Sequence, residues 1–352
     1  MTTYKGTILM TGANGGLGTA VIQRILAEPE LAAYHGLYTV RNVATATSIL
    51  PALTATKHHT YDILPLDLSK LSSVREAAAS INAKVSNGDI PRIRALILNA
   101  GHREPQGQTW AENGLDIAFA INYLGHWLLV LLLLQSMDRE SGRVVIVGGW
   151  VHDPLDDGNK NTGAFEESKW KKIFSDSNSE TIESVAKGTW SKSPDDPSQD
   201  GVGCSGIRRY GASKLCSIMM IFELQRRLDS DPELCRISVL GFDPGMMATK
   251  ITVGSLSWLI RSIFHIVAYA ANWISPNGSI RLPRKSAGDL LAAALETNPP
   301  FGERPKRLYF NGSEPKEVSA EAKDVDKRAS VWKASVQYAD LKQGETCLTD
   351  WA

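Results

Sequence analysis

The sequence predicts an α/β protein built on a doubly wound parallel sheet, and three observations carry the prediction. A short apolar run, Thr7-Ile8-Leu9-Met10-Thr11, leads at once into Gly12-Ala13-Asn14-Gly15-Gly16-Leu17-Gly18, and apolar residues at helical spacing follow from Ala20 to Ala27. Further apolar runs of strand length recur with helix-like segments between them, the β-α-β alternation of a parallel sheet. The 352 residues are 43% hydrophobic and 22% charged, enough for one large domain with a substantial core.

The opening strand, turn and helix read as the phosphate-binding start of a Rossmann-type dinucleotide fold. Gly12, Gly16 and Gly18, with Asn14 and Leu17 between them, would let the backbone approach a pyrophosphate whose charge sits against the helix N-terminus. A second strand is expected over Gly36–Val40, ending at Arg41. No acidic residue lies between Glu30 and Asp62 to bind a ribose 2′-hydroxyl, and Arg41 stands where a 2′-phosphate would be. NADP(H) is the expected cofactor. A third strand over Ile63–Leu66 ends at Asp67-Leu68, beside the adenine pocket. After a helix over 72–85, a buried strand over Arg94–Leu98 ends in Asn99-Ala100-Gly101, small residues that admit a cofactor. A long helix is expected over Asn113–Leu134. Its aliphatic run Leu128–Leu134 falls well short of the ~20 residues that span a bilayer, so it reads as a buried helix or as the contact face of a homodimer. The strand over 142–147 closes at Gly148-Gly149-Trp150.

From 151 to 203 aspartate, lysine, serine and proline dominate, which predicts a polar insertion near the active site with a short helix around 165–174. A helix follows over Tyr210–Leu228, then a strand over 236–240 leading to Asp243-Pro244-Gly245-Met246-Met247-Ala248-Thr249. Segment 250–285 is expected to form an apolar lid over a lipophilic substrate, with peripheral membrane contact through 251–274 as the second reading. A helix over 286–295, an edge strand over 307–312 and a charged helix over 317–341, within a tail from 313 to 352, complete a single domain. Lys+Arg and Asp+Glu are each 38, a balance that argues against nucleic acid as a partner. The four cysteines are scattered, so neither a metal site nor a disulfide framework is expected. A strand begins directly after Lys5, and the expected location is cytoplasmic, with membrane association through 251–274 as the variant.

Tyr210 and Lys214 lie four residues apart and so share one face of a helix. An ammonium beside a phenol favours the phenolate and makes tyrosine usable in proton transfer. By itself this spacing is common on solvated helix surfaces. Four motifs in order change its meaning: Thr11-Gly12-x-x-x-Gly16-x-Gly18, Asn99-Ala100-Gly101, Tyr210-x-x-x-Lys214 and Pro244-Gly245-x-x-x-Thr249. Together they resemble the short-chain dehydrogenase/reductase family over roughly residues 5–312, apart from the insertion. The runs Ile121-Asn122-Tyr123-Leu124-Gly125-His126 and Tyr210-Gly211-Ala212-Ser213-Lys214-Leu215-Cys216 are most similar to the retinol dehydrogenase and protochlorophyllide reductase-like branch. The resemblance implies Tyr210 as general acid in carbonyl reduction and base in alcohol oxidation, with Lys214 lowering its pKa and holding the nicotinamide ribose. It implies that Asn122 holds a water that relays protons to Lys214, that Asp67 faces adenine, that Asn99 borders the cofactor and that Thr249 contacts its nicotinamide end.

One position departs from the family. Where it carries a serine pair, whose second member orients the substrate oxygen, this chain has Gly148-Gly149. Loss of one such donor costs on the order of 3 kcal/mol. Ser205, the backbone N–H of Gly149 or Trp150, or a group on the substrate are the candidates to replace it, and Met246 completes the expected substrate side. The leading expectation is an NADP(H)-dependent oxidoreductase acting on a lipophilic small molecule of secondary metabolism. A non-redox isomerase, cyclase or dehydratase using Tyr210 is the alternative, and a non-catalytic NADP-binding protein the third.

Overall fold

The computed structural model describes residues 4–56, 58–195, 200, 203–247 and 275–352. Along the chain its principal elements begin with β1 (Thr7–Met10), α1 (Gly16–Ala27), β2 (His35–Val40), β3 (Tyr61–Pro65) and α2 (Leu71–Ser86). Next come β4 (Ile93–Leu98), α3 (Ile117–Ser136) and β5 (Arg143–Val147). The second half supplies α4 (Ser179–Ala186), α5 (Cys204–Asp229), β6 (Ser238–Asp243), α6 (Pro283–Leu295), β7 (Tyr309–Asn311), β8 (Glu314–Pro315) and α7 (Val325–Tyr338). The strands form one sheet in the order β3-β2-β1-β4-β5-β6-β7-β8, parallel except for the β7–β8 edge. Strands β1, β2, β4, β5 and β6 are buried along their whole length, as their unbroken apolar runs require when helices cover both faces. One face carries α1 and α6, with Val21, Ile22, Ile25, Leu290 and Leu291 in its core. The other carries α2, α3, α5 and α7.

Several elements depart from the sequence-based expectation for local reasons. Helix α3 starts at Ile117 rather than Asn113 because Asp116 caps it, its Oδ1 accepting the Ala118 N–H at 2.9 Å. A π-helical turn over Ala120–Leu124 interrupts it. Leu128–Leu134 are at most 6% exposed, and Trp127 packs edge-on to Trp332 of α7 at 5.1 Å, so this run is core and not a surface for a second subunit. Helix α5 begins six residues ahead of Tyr210.

The insertion holds a 3₁₀ turn at Ser168–Trp170 where a helix around 165–174 was expected, and its one α-helix among the described residues is α4, capped by Asn178. It is fastened to the chain's end. The Glu321 carboxylate accepts the N–H groups of Ile173 (3.1 Å) and Phe174 (2.6 Å), and Lys327 Nζ donates to the Phe174 carbonyl at 2.6 Å. The expected single tail helix is two, Ala320–Lys323 and α7, divided at Asp324, which caps the second by accepting the Lys327 N–H. Within the lid segment, residues 250–274 lie outside the described residues, and with them the membrane-contact expectation. From 275 onward the chain returns to the site, where Met246 N–H donates to the Ser279 carbonyl and Arg281 N–H to the Met246 carbonyl.

Candidate active site

The strand order reverses between β1 and β4, and loops at the carboxyl ends of the parallel strands enclose a cavity of about 910 Å³ there. At one end lies the glycine turn. Gly12 adopts φ +65°, and a Cβ on it would stand 2.8 Å from the Ala100 Cα, so only glycine lets the turn close on the end of β4. Thr11 Oγ1 accepts the N–H groups of Asn99 and Ala100, both at 3.0 Å, while Asn99 Nδ2 donates to the carbonyls of Thr11 (2.9 Å) and Gly12 (3.1 Å). Asn99 thus clamps the turn as well as lining the cavity. Gly12, Asn14, Gly16, Leu17, Ala100 and Gly101 face the cavity together. Gly18 does not; a Cβ there would lie 2.6 Å from the carbonyl oxygens of Gly12 and Ala13, so it seats the turn on α1.

Arg41 lines the same end and has no hydrogen-bond or ion-pair partner among the described residues. Thr45, Thr47 and Ser48 line the cavity near it. Asp67 and Leu68 follow, with Asp67 Oδ1 accepting the N–H (3.0 Å) and Oγ (2.6 Å) of Ser69. A glycine cradle closed to side chains, followed by an unpaired guanidinium among hydroxyls, fits a pyrophosphate and a further phosphate.

The other end is built from α5, β5 and β6. Lys214 is 4% exposed; its Nζ donates to the Val147 carbonyl at 2.7 Å and lies 5.8 Å from the centre of the Tyr210 ring. Burial brings Lys214 down to about 8, against the opposing charge of Asp243. Burial pushes Tyr210 up to about 12, and the neighbouring charges that act on its phenol are Arg103, which lowers it, and Asp243, which raises it. Arg103, which the sequence passed over, is thus a cation acting on the phenol, with Lys214 Nζ beside the same ring. Asp243 is buried at the end of β6; Oδ1 accepts the Gly245 N–H at 2.8 Å and Oδ2 has no partner among the described residues.

The glycine pair has a structural cause. A Cβ on Gly148 would stand 2.7 Å from the Tyr309 hydroxyl, and Gly149 holds φ +154°, a conformation that side chains avoid. The Tyr309 hydroxyl, buried behind the pair, accepts the Gly149 N–H at 3.0 Å, so that N–H is already engaged. Gly149, Trp150, Pro244, Gly245 and Met246 line the cavity as the sequence places them.

Two expected residues stand elsewhere. The Ser205 hydroxyl donates to Asp200 at 2.7 Å and meets Ser193 Oγ at 3.0 Å; it is fully buried against the insertion and does not line the cavity, so it does not stand in for the missing serine. Asn122, in the π-helical turn, is buried: Oδ1 accepts the His102 N–H (2.7 Å), and Nδ2 donates to the His102 carbonyl and Ser213 Oγ, each at 2.9 Å. Its carbonyl accepts Ser217 Oγ at 3.0 Å and sits 3.2 Å from His126 Nδ1. Asn122 ties the 102 loop to α5. Thr249 lies outside the described residues. Sequence reasoning passed over Arg103, Asp243 and Tyr309. Asp243 adjoins Pro244-Gly245 and Arg103 lies two residues past Gly101, which is the only signal they gave; Tyr309 gave none.

The short chain dehydrogenase family model matches residues 6–151. The chain is 42% identical to the short-chain dehydrogenase iccH of Talaromyces variabilis, with 99% of each covered. It is 25% identical to the chloroplastic protochlorophyllide reductase of Daucus carota, over 97% of this chain and 79% of that one. Among solved structures, the NADPH-bound carbonyl reductase from chicken fatty liver superposes with a TM-score of 0.56 at 17% identity, covering 90% of this chain and 100% of that one, a likeness of fold.

Proposed function

We propose, for a chain that belongs to the short-chain dehydrogenase/reductase family, an NADP(H)-dependent oxidoreductase that interconverts a carbonyl and an alcohol on a lipophilic small molecule. The family makes the protein an oxidoreductase that takes a nicotinamide cofactor. The observation that carries the choice of NADP(H) is Arg41, unpaired at the end of β2 with hydroxyls around it and no carboxylate between Glu30 and Asp62. A second arginine-free reading would leave that guanidinium without a task. Gly12, Asn14, Gly16, Leu17 and Ala100 would hold the pyrophosphate, Asp67 and Leu68 the adenine, and Lys214, Pro244 and Gly245 the nicotinamide end. When bound, the nicotinamide supplies or accepts the hydride.

Tyr210 moves the proton. With its phenol held up near 12, it is protonated at neutral pH, which is the form that donates to a carbonyl oxygen. The phenolate left behind would be stabilised by the charge of Arg103, which already acts to lower the phenol's pKa. Trp150, Val151, Ile207 and Met247 give that end apolar walls suited to a lipophilic substrate. Carbonyl-dependent oxidation of NADPH, several times faster than of NADH and abolished in Tyr210→Phe, is the expected result. The paired glycines favour one alternative, a non-redox enzyme using Tyr210 as acid or base. Product formation without loss of NADPH would select it.

A further inference from the structure

Arg103 is the surplus charge of the catalytic end. Lys214 and Asp243 lie near enough for the charge of Asp243 to act on the ammonium, one basic group beside one acidic group. Glu104, next in sequence, is turned away, its Oε2 accepting the N–H (2.9 Å) and Oγ1 (3.2 Å) of Thr109. Burial lowers the proton affinity of His102, and Asp116 is paired with Arg209 at 3.0 Å. Arg103 itself makes no hydrogen bond or ion pair among the described residues, and its Nε is buried without a partner. Its side chain lines the cavity, and its charge is felt at the Tyr210 phenol. A guanidinium offers five N–H donors in a planar fork that matches a carboxylate two bonds at a time. Leaving such a group partly buried and unpaired costs free energy that a bound anion would recover.

We propose that Arg103 binds a carboxylate carried by the substrate close to its reacting carbonyl, so that the lipophilic substrate is an acid. This rests on the reading that the Tyr210 end receives the substrate. The rival occupant for Arg103 is the cofactor's own phosphate, for which Arg41, whose charge also reaches His102, is the exposed candidate at the end of β2. Charge-assisted pairing of this kind selects an acid over its neutral ester by about tenfold or more.

The test uses the full-length enzyme saturated with NADP⁺, titrated calorimetrically with mandelate and with methyl mandelate. Mandelate should bind about tenfold more tightly than the ester, and Arg103→Gln should erase the difference by weakening the acid alone, while Arg103→Lys keeps part of it. NADPH affinity, followed by fluorescence, should stay within about twofold in both variants, which also shows that they fold. An acid that binds no better than its ester, or not at all, overturns the proposal. So does a tenfold loss of NADPH affinity in Arg103→Gln, which would give Arg103 to the cofactor. Failure of the broader redox reading has a separate signature, an enzyme that binds no NADPH or turns over without consuming it, whatever the ratio of acid to ester.

Discussion

At the adenine end of the cavity the groups that face a ligand are largely main chain, locked by Thr11 and Asn99, with Arg41 added at an exposed edge. At the catalytic end they are ionisable side chains, the half-buried Tyr210 and the buried Lys214 and Asp243, with Arg103 beside them. The first end is rigid because its geometry is the geometry of a turn and a strand end, and no titration changes it. The second is tuned by desolvation and by a few charges, so single substitutions and pH act there. On the proposed reading, holding the adenine half of the dinucleotide and moving the proton are therefore separable.

The largest expected effect breaks one end and spares the other. Tyr210→Phe should lower the rate of carbonyl reduction by about two to four orders of magnitude, the worth of a positioned acid, with NADPH affinity unchanged in a fluorescence titration. Next in size is a pH effect confined to the catalytic end. Lys214 has its proton affinity lowered by folding, so between about 8 and 10.5 the unfolded chain holds a proton that the folded one lacks. Stability should rise with pH across that window, by an amount on the order of 3 kcal/mol. Lys214→Met should flatten the rise in denaturant unfolding measured at pH values either side of the window. A rise of equal size in both proteins would mean that another group titrates.

At the adenine end, Arg41→Gln should weaken NADPH binding by about tenfold to a hundredfold and leave NADH binding nearly as it was, since one charge-assisted pair is lost. Equal losses for both would remove the 2′-phosphate from the account. The smallest effect concerns the glycine pair. Gly149→Ser restores the family's residue type but should not restore faster turnover. Its backbone lies at φ +154°, and the variant should lose on the order of 1 kcal/mol of stability in thermal unfolding. A clear gain in kcat would show that the site still has room for the hydroxyl.

The same contrast explains what could be read without a structure. The adenine end is legible because its residues are contiguous: Gly12 to Gly18, Arg41 and Asn99 to Gly101 each follow a strand and meet through the simplest parallel topology. Tyr210 and Lys214 are legible because a helix turns their spacing into a shared face. Arg103, Asp243 and Tyr309 are not, because their roles come from burial and from the meeting of separate strands. Tyr309 reaches Gly148 only because β7 runs beside β6, two strands from the loop it supports. Ser205 misled for the complementary reason. Proximity in sequence to Tyr210 placed it near the phenol, but the helix begins at Cys204 and turns Ser205 toward Asp200 and the insertion. The insertion itself has a polar composition, yet Phe165, Ile173, Phe174 and Ile182 are buried, which a count of polar residues does not reveal.

The most direct test follows NADPH and product together in one reaction vessel, with wild-type enzyme, Tyr210→Phe and a panel of lipophilic ketones that includes keto acids. The account predicts one NADPH consumed for each alcohol formed by the wild type, and no consumption by a variant that still binds NADPH. Product formed by the wild type with NADPH undiminished would contradict it, and would make Tyr210 the acid or base of a reaction that transfers no hydride.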